Sequence, residues 1–189
     1  MDSSVLVTDA QSRAGLVAIR SLGEKGIRVA ALDSDRLSLG FFSRYCRRAL
    51  VSPDAERQPD EFAAFVLDEL SRHACDVVLP LFEGPLFALA RRGAEVRRLA
   101  RLPFTDHEAL LRANDKALSA EVARHCGLRV PATFAVSEPG DVASALVQLG
   151  LPVIVRSRNA HGSVGMHLAA RKDEVWPLCQ RLEREFGPV

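Results

Sequence analysis

The chain has 189 residues, of which 48% are hydrophobic, enough for one or two small packed cores. Its 25 Lys and Arg residues nearly balance its 24 Asp and Glu residues, so no large positive field predicts a nucleic-acid partner. No segment approaches the roughly 20 apolar residues of a membrane span, and no basic leader precedes the first apolar run, so we expect a soluble cytoplasmic protein without a membrane partner.

The first half of the sequence alternates short apolar runs with helical patterns. The apolar runs predict strands at residues 5–7, 29–32, 49–51 and 77–79. Apolar residues at helical spacing predict helices at residues 14–22 and 86–99, and Pro59 can open a further helix between them. Wholly apolar strands separated by helices indicate a parallel sheet covered on both faces. We therefore predict a doubly wound α/β domain over residues 1–102.

The sequence pattern changes in the second half, residues 103–189. Thr105 with Glu108 three residues later forms a capping-box pattern before a short helix. Asp115 opens a longer helix that Gly127 ends, and Asp173 is predicted to cap the last helix. The remaining pattern predicts strands at residues 133–136, 152–155 and 166–169, and a helix at 137–149.

A polar loop rich in small residues separates two of these strands. The groups there that suit phosphate oxygens are Arg156, Arg158, His161, Gly162, Ser163 and Gly165. Glycines let backbone N–H groups approach an anion closely, while the hydroxyl and the cations add donors and positive charge. Taken alone, the same pattern is also typical of a solvated turn, so the loop by itself leaves both interpretations open.

Combined with its context, this loop resembles a known superfamily. Asn114-Asp115-Lys116 opens a helix, and a strand, a helix, Pro-Val-Ile-Val-Arg156 and the glycine loop then follow. This order resembles the ATP-grasp superfamily, within it the carbamoyl-phosphate-synthase-like and carboxylate–amine ligase branch. The resemblance implies that residues 1–102 form the pre-ATP-grasp α/β domain. Residues 103–189 would then be the incomplete N-terminal α+β lobe of the ATP-grasp module.

The resemblance also implies roles for individual residues. Lys116 would contact ATP phosphate, and the loop from Ala160 to Gly165 would close over the phosphates. Arg156-Ser157 stands where the family usually has Lys-Pro, and His161 stands where a small residue is usual. A guanidinium keeps the charge of the lysine but presents a wider, planar fork.

On the substrate side, the resemblance points to the carboxyl ends of the first sheet. Asp9 and Glu83 are the substrate-site candidates there; the alternatives are a capped helix start for Asp9 and an exposed acid for Glu83. The loop of residues 8–15 lacks the glycine fingerprint of a dinucleotide fold, which disfavours a Rossmann oxidoreductase.

The intact enzyme that the resemblance implies would use ATP to activate a small carboxylate as an acyl phosphate, which an amine or similar nucleophile then attacks. Magnesium would bind in a C-terminal lobe that follows this sequence. We therefore expect a truncated form or fragment of a longer ligase, inactive alone, with no metal site of its own and a possible homodimer. Two rival hypotheses are a stand-alone nucleotide-binding or regulatory module and an interaction domain without a ligand.

Overall fold

A computed structural model describes residues 3–104, 106–159 and 165–189 of the chain. The chain divides into two compact units, Met1–His107 and Glu108–Val189. The assignment of residues 1–102 and 103–189 to two family domains remains a prediction. Within the described residues, no helix combines the length and the apolar character needed to cross a membrane.

The first unit is built on a four-stranded parallel sheet. Its strands are β1 (Ser4–Val7), β2 (Arg28–Asp33), β3 (Cys46–Val51) and β4 (Val77–Leu79). They lie in the order β3-β2-β1-β4, and every neighbouring pair is parallel. The predicted α/β class with a parallel sheet is therefore confirmed. Because β1 and β4 are sequentially distant neighbours, the chain reverses its direction of winding between them, which creates a crevice at their carboxyl ends.

Helices cover this sheet, and their apolar side chains form two cores with those of the strands. They are α1 (Arg13–Glu24), α2 (Pro59–Arg72), α3 (Glu83–Arg91) and α4 (Gly93–Leu99), with a short 3-10 helix at Leu39–Phe42. Alternate side chains of β1 point to opposite faces. Leu6 therefore joins a core containing Phe62 and Val66 of α2, whereas Val7 joins a second core with Ile19 of α1.

Two sequence predictions for these helices have different outcomes. Pro59 is the first residue of α2, as predicted, where its missing N–H costs nothing. The single helix predicted at residues 86–99 is wrong, because Arg92 leaves helical geometry and Gly93 starts a new helix. Glycine is a poor helix former, so a break there costs little.

The second unit contains a two-stranded antiparallel sheet and the remaining helices. The elements are α5 (His107–Asn114), α6 (Lys116–His125), α7 (Pro139–Leu149), β5 (Val153–Arg156), β6 (Met166–Ala169) and α8 (Lys172–Phe186). Val142 of α7, Val155 of β5 and Leu182 of α8 belong to its core. Among the described strands, β5 pairs only with β6, so its other edge has no strand partner.

The structure differs from two predictions for this unit and does not describe the residue of a third. The strand predicted at residues 133–136 is wrong: the segment is irregular, because no neighbouring strand pairs with it in the described structure, and strand propensity alone does not form a ladder. Asp173 does not cap α8. Arg171 holds that position, and the Glu174 side chain accepts from its backbone N–H at 3.2 Å. Thr105, the predicted cap of α5, lies outside the described residues.

Candidate functional site

The site in the second unit begins at the first turn of α6. Asp115 is the N-cap, and its Oδ1 accepts from the backbone N–H groups of Ala117 at 2.9 Å and Leu118 at 3.2 Å. Two backbone donors that the helix itself cannot satisfy are thereby paired. The cap fixes where the helix starts, and so fixes Lys116 as its first residue.

Arg158, which follows β5, ties the start of the glycine loop to this turn. Its guanidinium donates to Asp115 twice, from Nε to Oδ1 at 3.1 Å and from one terminal nitrogen to Oδ2 at 2.5 Å. Its carbonyl oxygen accepts from both the backbone N–H and the Nζ of Lys116, each at 3.1 Å. One arginine thus holds a carboxylate through its side chain and a lysine through its main chain.

The ionic state of Asp115 follows from these contacts. Partial burial by itself would raise its pKa, but the hydrogen bonds from Arg158 and from the Leu118 and Ala117 backbone outweigh that cost. Its pKa therefore lies below the usual value, and the carboxylate is ionised at neutral pH. An ionised acceptor matches a bidentate guanidinium, which is the strongest side-chain pairing of this kind.

Ser157 anchors the same stretch from the other side. It is 1% exposed, and its hydroxyl donates to the Phe186 carbonyl at the end of α8 at 3.1 Å. Its backbone N–H donates to the carbonyl of Gly165 at 3.0 Å, and Gly165 has a φ of 69°, which favours glycine. The sequence marked Ser157 only as a departure from Lys-Pro. Its position directly after an apolar strand was the only available signal of this anchoring role.

A cavity of about 630 Å³ opens beside these anchors. Lys116, Arg156 and Arg158 all line it. Its remaining wall is mostly apolar and includes Val142 of α7 and Val155 of β5. That volume lies within the range of ordinary ligand pockets, and a few convergent polar groups on an apolar wall are typical of them.

The structure brings together only part of the predicted phosphate site. Lys116 and Arg156 line one cavity, and Gly165 lies at the base of the loop. Ala160, His161, Gly162 and Ser163 lie outside the described residues, so their phosphate contacts stay predictions. The sequence predicted Arg158 only as a phosphate cation, and its pairing with Asp115, 43 residues away, has no local signal.

In the first unit, Asp9 lies at the crevice between β1 and β4. Its φ is 57°, and its Oδ2 accepts from the backbone N–H groups of Leu81 and Phe82, each at 3.2 Å, and is also bonded to the Thr8 hydroxyl. Burial raises the pKa of Asp9, with the Thr8 hydroxyl and the two backbone donors opposing that rise. These contacts join the ends of two neighbouring strands.

Glu83 is the first residue of α3 and directly follows Phe82, so the two substrate candidates are close in the fold. Asp9 also lines a smaller cavity of about 180 Å³ together with Asp33. The substrate role of both candidates remains a prediction. Across the described residues there is no group of three or more His, Cys, Asp or Glu that could hold a metal ion.

Comparison with known proteins gives a consistent relationship. No protein-family model matches the chain. Carbamoyl phosphate synthase large chains match it over most of its length: that of Neisseria meningitidis serogroup A is 23% identical over 172 residues, covering 88% of this chain. That of Methanothermobacter thermautotrophicus is 28% identical over 176 residues, covering 91%. The chain spans only 15–16% of the length of these relatives.

Solved structures decide the fold. Biotin carboxylase from Campylobacter jejuni, in complex with a β,γ-ATP compound, superimposes with a TM-score of 0.75 at 17% identity, covering 100% of this chain and 44% of its own. This is the fold of the ATP-grasp ligases. The ADP complex of N5-carboxyaminoimidazole ribonucleotide synthetase gives 0.72 at 16% identity, covering 97% of this chain and 45% of that one. The resemblance to ATP-grasp ligases predicted from the sequence is therefore confirmed.

Proposed function

We propose that this chain is the N-terminal part of an ATP-dependent carboxylate–amine ligase. The observation that carries the proposal is that Lys116 and Arg156 line one cavity at the base of the glycine loop, in a chain with the ATP-grasp fold. An ammonium and a guanidinium that line the same cavity suit the oxygens of a polyphosphate. The apolar wall suits the uncharged ring of a nucleotide.

In the proposed reaction, a carboxylate oxygen of the substrate attacks the γ-phosphorus of ATP, and ADP leaves. The resulting acyl phosphate is attacked at its carbonyl carbon by an amine, and inorganic phosphate leaves as the amide bond forms. The cations of this chain would hold the phosphates in position and offset the charge that spreads over the transferred group. No acid or base catalyst is assigned to this chain.

The residues fit the two expected cofactors unequally. The cavity lined by Lys116 and Arg156 suits ATP, with cations for the phosphates and an apolar wall for the base. The described residues provide no carboxylate cluster for magnesium, so we assign no magnesium ligand to them. A relative in fold, the biotin carboxylase domain of Hydrogenobacter thermophilus 2-oxoglutarate carboxylase, was solved as a dimer with MgADP, ADP and bicarbonate. By analogy we propose a small carboxylate substrate, magnesium in the whole protein and a homodimer, in the cytoplasm.

The site in this chain is tested by calorimetric titration with ATP, with and without magnesium. Lys116→Ala is compared with Lys172→Ala, an exposed lysine of the same unit. We expect ATP binding that is weakened by Lys116→Ala and unchanged by Lys172→Ala. Equal binding by both variants would contradict the assigned phosphate site.

The enzyme is tested in the full-length gene product. We expect magnesium-dependent release of ADP and phosphate that requires a carboxylate and an amine and falls sharply in Lys116→Ala. Tight ATP binding without turnover on any carboxylate would favour a regulatory module instead. Absence of binding in both the chain and the full-length product would favour an interaction domain.

A further inference from the structure

Two ion pairs of the second unit have the same chemistry but different surroundings. Arg171 donates to Asp173 from Nε at 3.0 Å and from a terminal nitrogen at 2.6 Å, and both side chains are more than 65% exposed. Arg158 and Asp115 make the same bidentate contact with side chains only 29% and 16% exposed. Exposed pairs contribute little because water and salt screen them, whereas a sheltered pair can hold a fixed geometry.

The sheltered pair, unlike the exposed pair, is linked directly to a residue of the candidate phosphate site. Asp115 directly precedes Lys116, and the carbonyl of Arg158 accepts from the Lys116 ammonium at 3.1 Å. Two main-chain hydrogen bonds hold Arg158, from the Lys116 N–H to its carbonyl at 3.1 Å and from its own N–H to the Pro188 carbonyl at 2.7 Å. The guanidinium on Asp115 adds a third contact that keeps the carbonyl in reach of the ammonium. Lysine has a long, flexible stem, so an ammonium held at one place has already lost much of its freedom before any ligand arrives.

We propose that Arg158, through its pairing with Asp115, is a positioning residue that pre-organises the Lys116 ammonium for phosphate. The inference rests on the proposed phosphate site and adds to it a residue that acts without contacting the phosphate. Binding of a polyphosphate needs less ordering of side chains when the cation is already in place, and such ordering accounts for about two- to tenfold in affinity per side chain.

The chain has only three lysines, which makes the proposal directly observable. In protein labelled with ¹⁵N-lysine, the side-chain amines give three signals, and those of the exposed Lys25 and Lys172 are internal references. We expect the Lys116 signal to be displaced from these two and to exchange more slowly with water. The probe ligand is inorganic triphosphate.

The variants are Asp115→Asn, which keeps a good helix cap but removes the charge, and Arg158→Gln. Both are expected to move the Lys116 signal towards the references and to weaken triphosphate binding about two- to tenfold, with Arg158→Lys intermediate. The double variant Asp115→Asn/Arg158→Gln should weaken triphosphate binding no more than either single variant, because both changes remove the same interaction. Asp173→Asn, which breaks the exposed pair, is expected to alter neither readout.

Each outcome has a defined meaning. A Lys116 signal that does not move in Asp115→Asn or Arg158→Gln overturns the proposal, as does triphosphate binding of equal strength in wild type and both variants. If wild type does not bind triphosphate but its Lys116 signal still moves in both variants, the phosphate site of the proposed function fails while the positioning of Lys116 by Arg158 stands.

Discussion

The two units of the chain are stabilised by different kinds of interaction. In the first, β1 has a parallel neighbour on each side and apolar cores on both faces of the sheet. In the second, β5 has a partner on one side only among the described strands, and a cavity of about 630 Å³ borders the core residues of α7 and α8. The first unit is therefore held by packing, whereas the candidate site of the second depends heavily on specific polar contacts such as those of Ser157 and Arg158.

The largest expected effect compares a buried side chain from each core. Phe62→Ala in the first unit should cost about 3–5 kcal/mol of unfolding free energy, because its side chain is 2% exposed and packs in the core beneath the sheet. Leu182→Ala in the second should cost about 2–3 kcal/mol, at the lower end for such changes. Leu182 itself is fully buried, but its core neighbours Val142, Val175 and Cys179 line the larger cavity and can relax. Denaturant unfolding followed by hydrogen exchange in each unit measures both, and a larger cost for Leu182→Ala would break the comparison.

A second prediction concerns close backbone packing in the first unit. A Cβ on Gly15 would lie 2.2 Å from the carbonyl oxygen of Asp9, which is backbone and cannot move aside easily. Gly15→Ala should therefore lower the unfolding free energy of the first unit by about 1–3 kcal/mol, as measured by thermal unfolding. The matched control is Gly140→Ala in α7, where the nearest atom is the end of the Glu138 side chain at 3.4 Å. We expect that change to be neutral or slightly stabilising.

A third prediction tests the polar anchoring of the second unit. Asp115→Ala removes both the cap of α6 and the partner of Arg158, and should cost about 1–2 kcal/mol. Since the pKa of Asp115 is lowered by folding, its contribution is present above the unfolded value near 3.8 and is lost as pH falls through the lower folded value. The difference between wild type and Asp115→Ala in unfolding free energy should therefore shrink below about pH 4, and a constant difference would contradict this assignment.

The smallest expected effect is at Asp9. Because burial raises its folded pKa, its favourable contribution is present below the unfolded value and is lost as pH rises through the raised one. Asp9→Asn removes that charge and suits the positive φ, so its unfolding free energy should stay within about 1 kcal/mol of wild type at pH 7. The unfolding free energy of the variant, taken relative to wild type, should be higher at pH 7 than at pH 4. The reverse trend would contradict the raised pKa.

Much of the fold was predictable because its signals are local. The apolar runs at β1, β2 and β4 are complete within a few residues, and Gly127 follows the end of α6 with a positive φ, as predicted. The family resemblance was predictable for the same reason, since Asp115-Lys116 and the glycine loop are short motifs with a fixed order.

What the sequence did not predict depends on distant partners. Residues 133–136 have strand propensity but no neighbouring strand among the described residues, so they stay irregular. The role of Arg158 depends on Asp115, 43 residues earlier, and that of Ser157 on Phe186, 29 residues later. No spacing rule connects such pairs, because tertiary packing alone brings them together.

The second edge of β5, which pairs with no strand in the described part of the chain, has a consequence for self-association. Its backbone N–H and C=O groups on that side offer hydrogen bonds to any extended chain, and Ile154 beside them is 60% exposed. Pairing of one molecule with another along this edge would build species that grow with protein concentration. Sedimentation at increasing concentration should therefore show self-association, and Ile154→Lys, which places a charge on the edge strand, should suppress it.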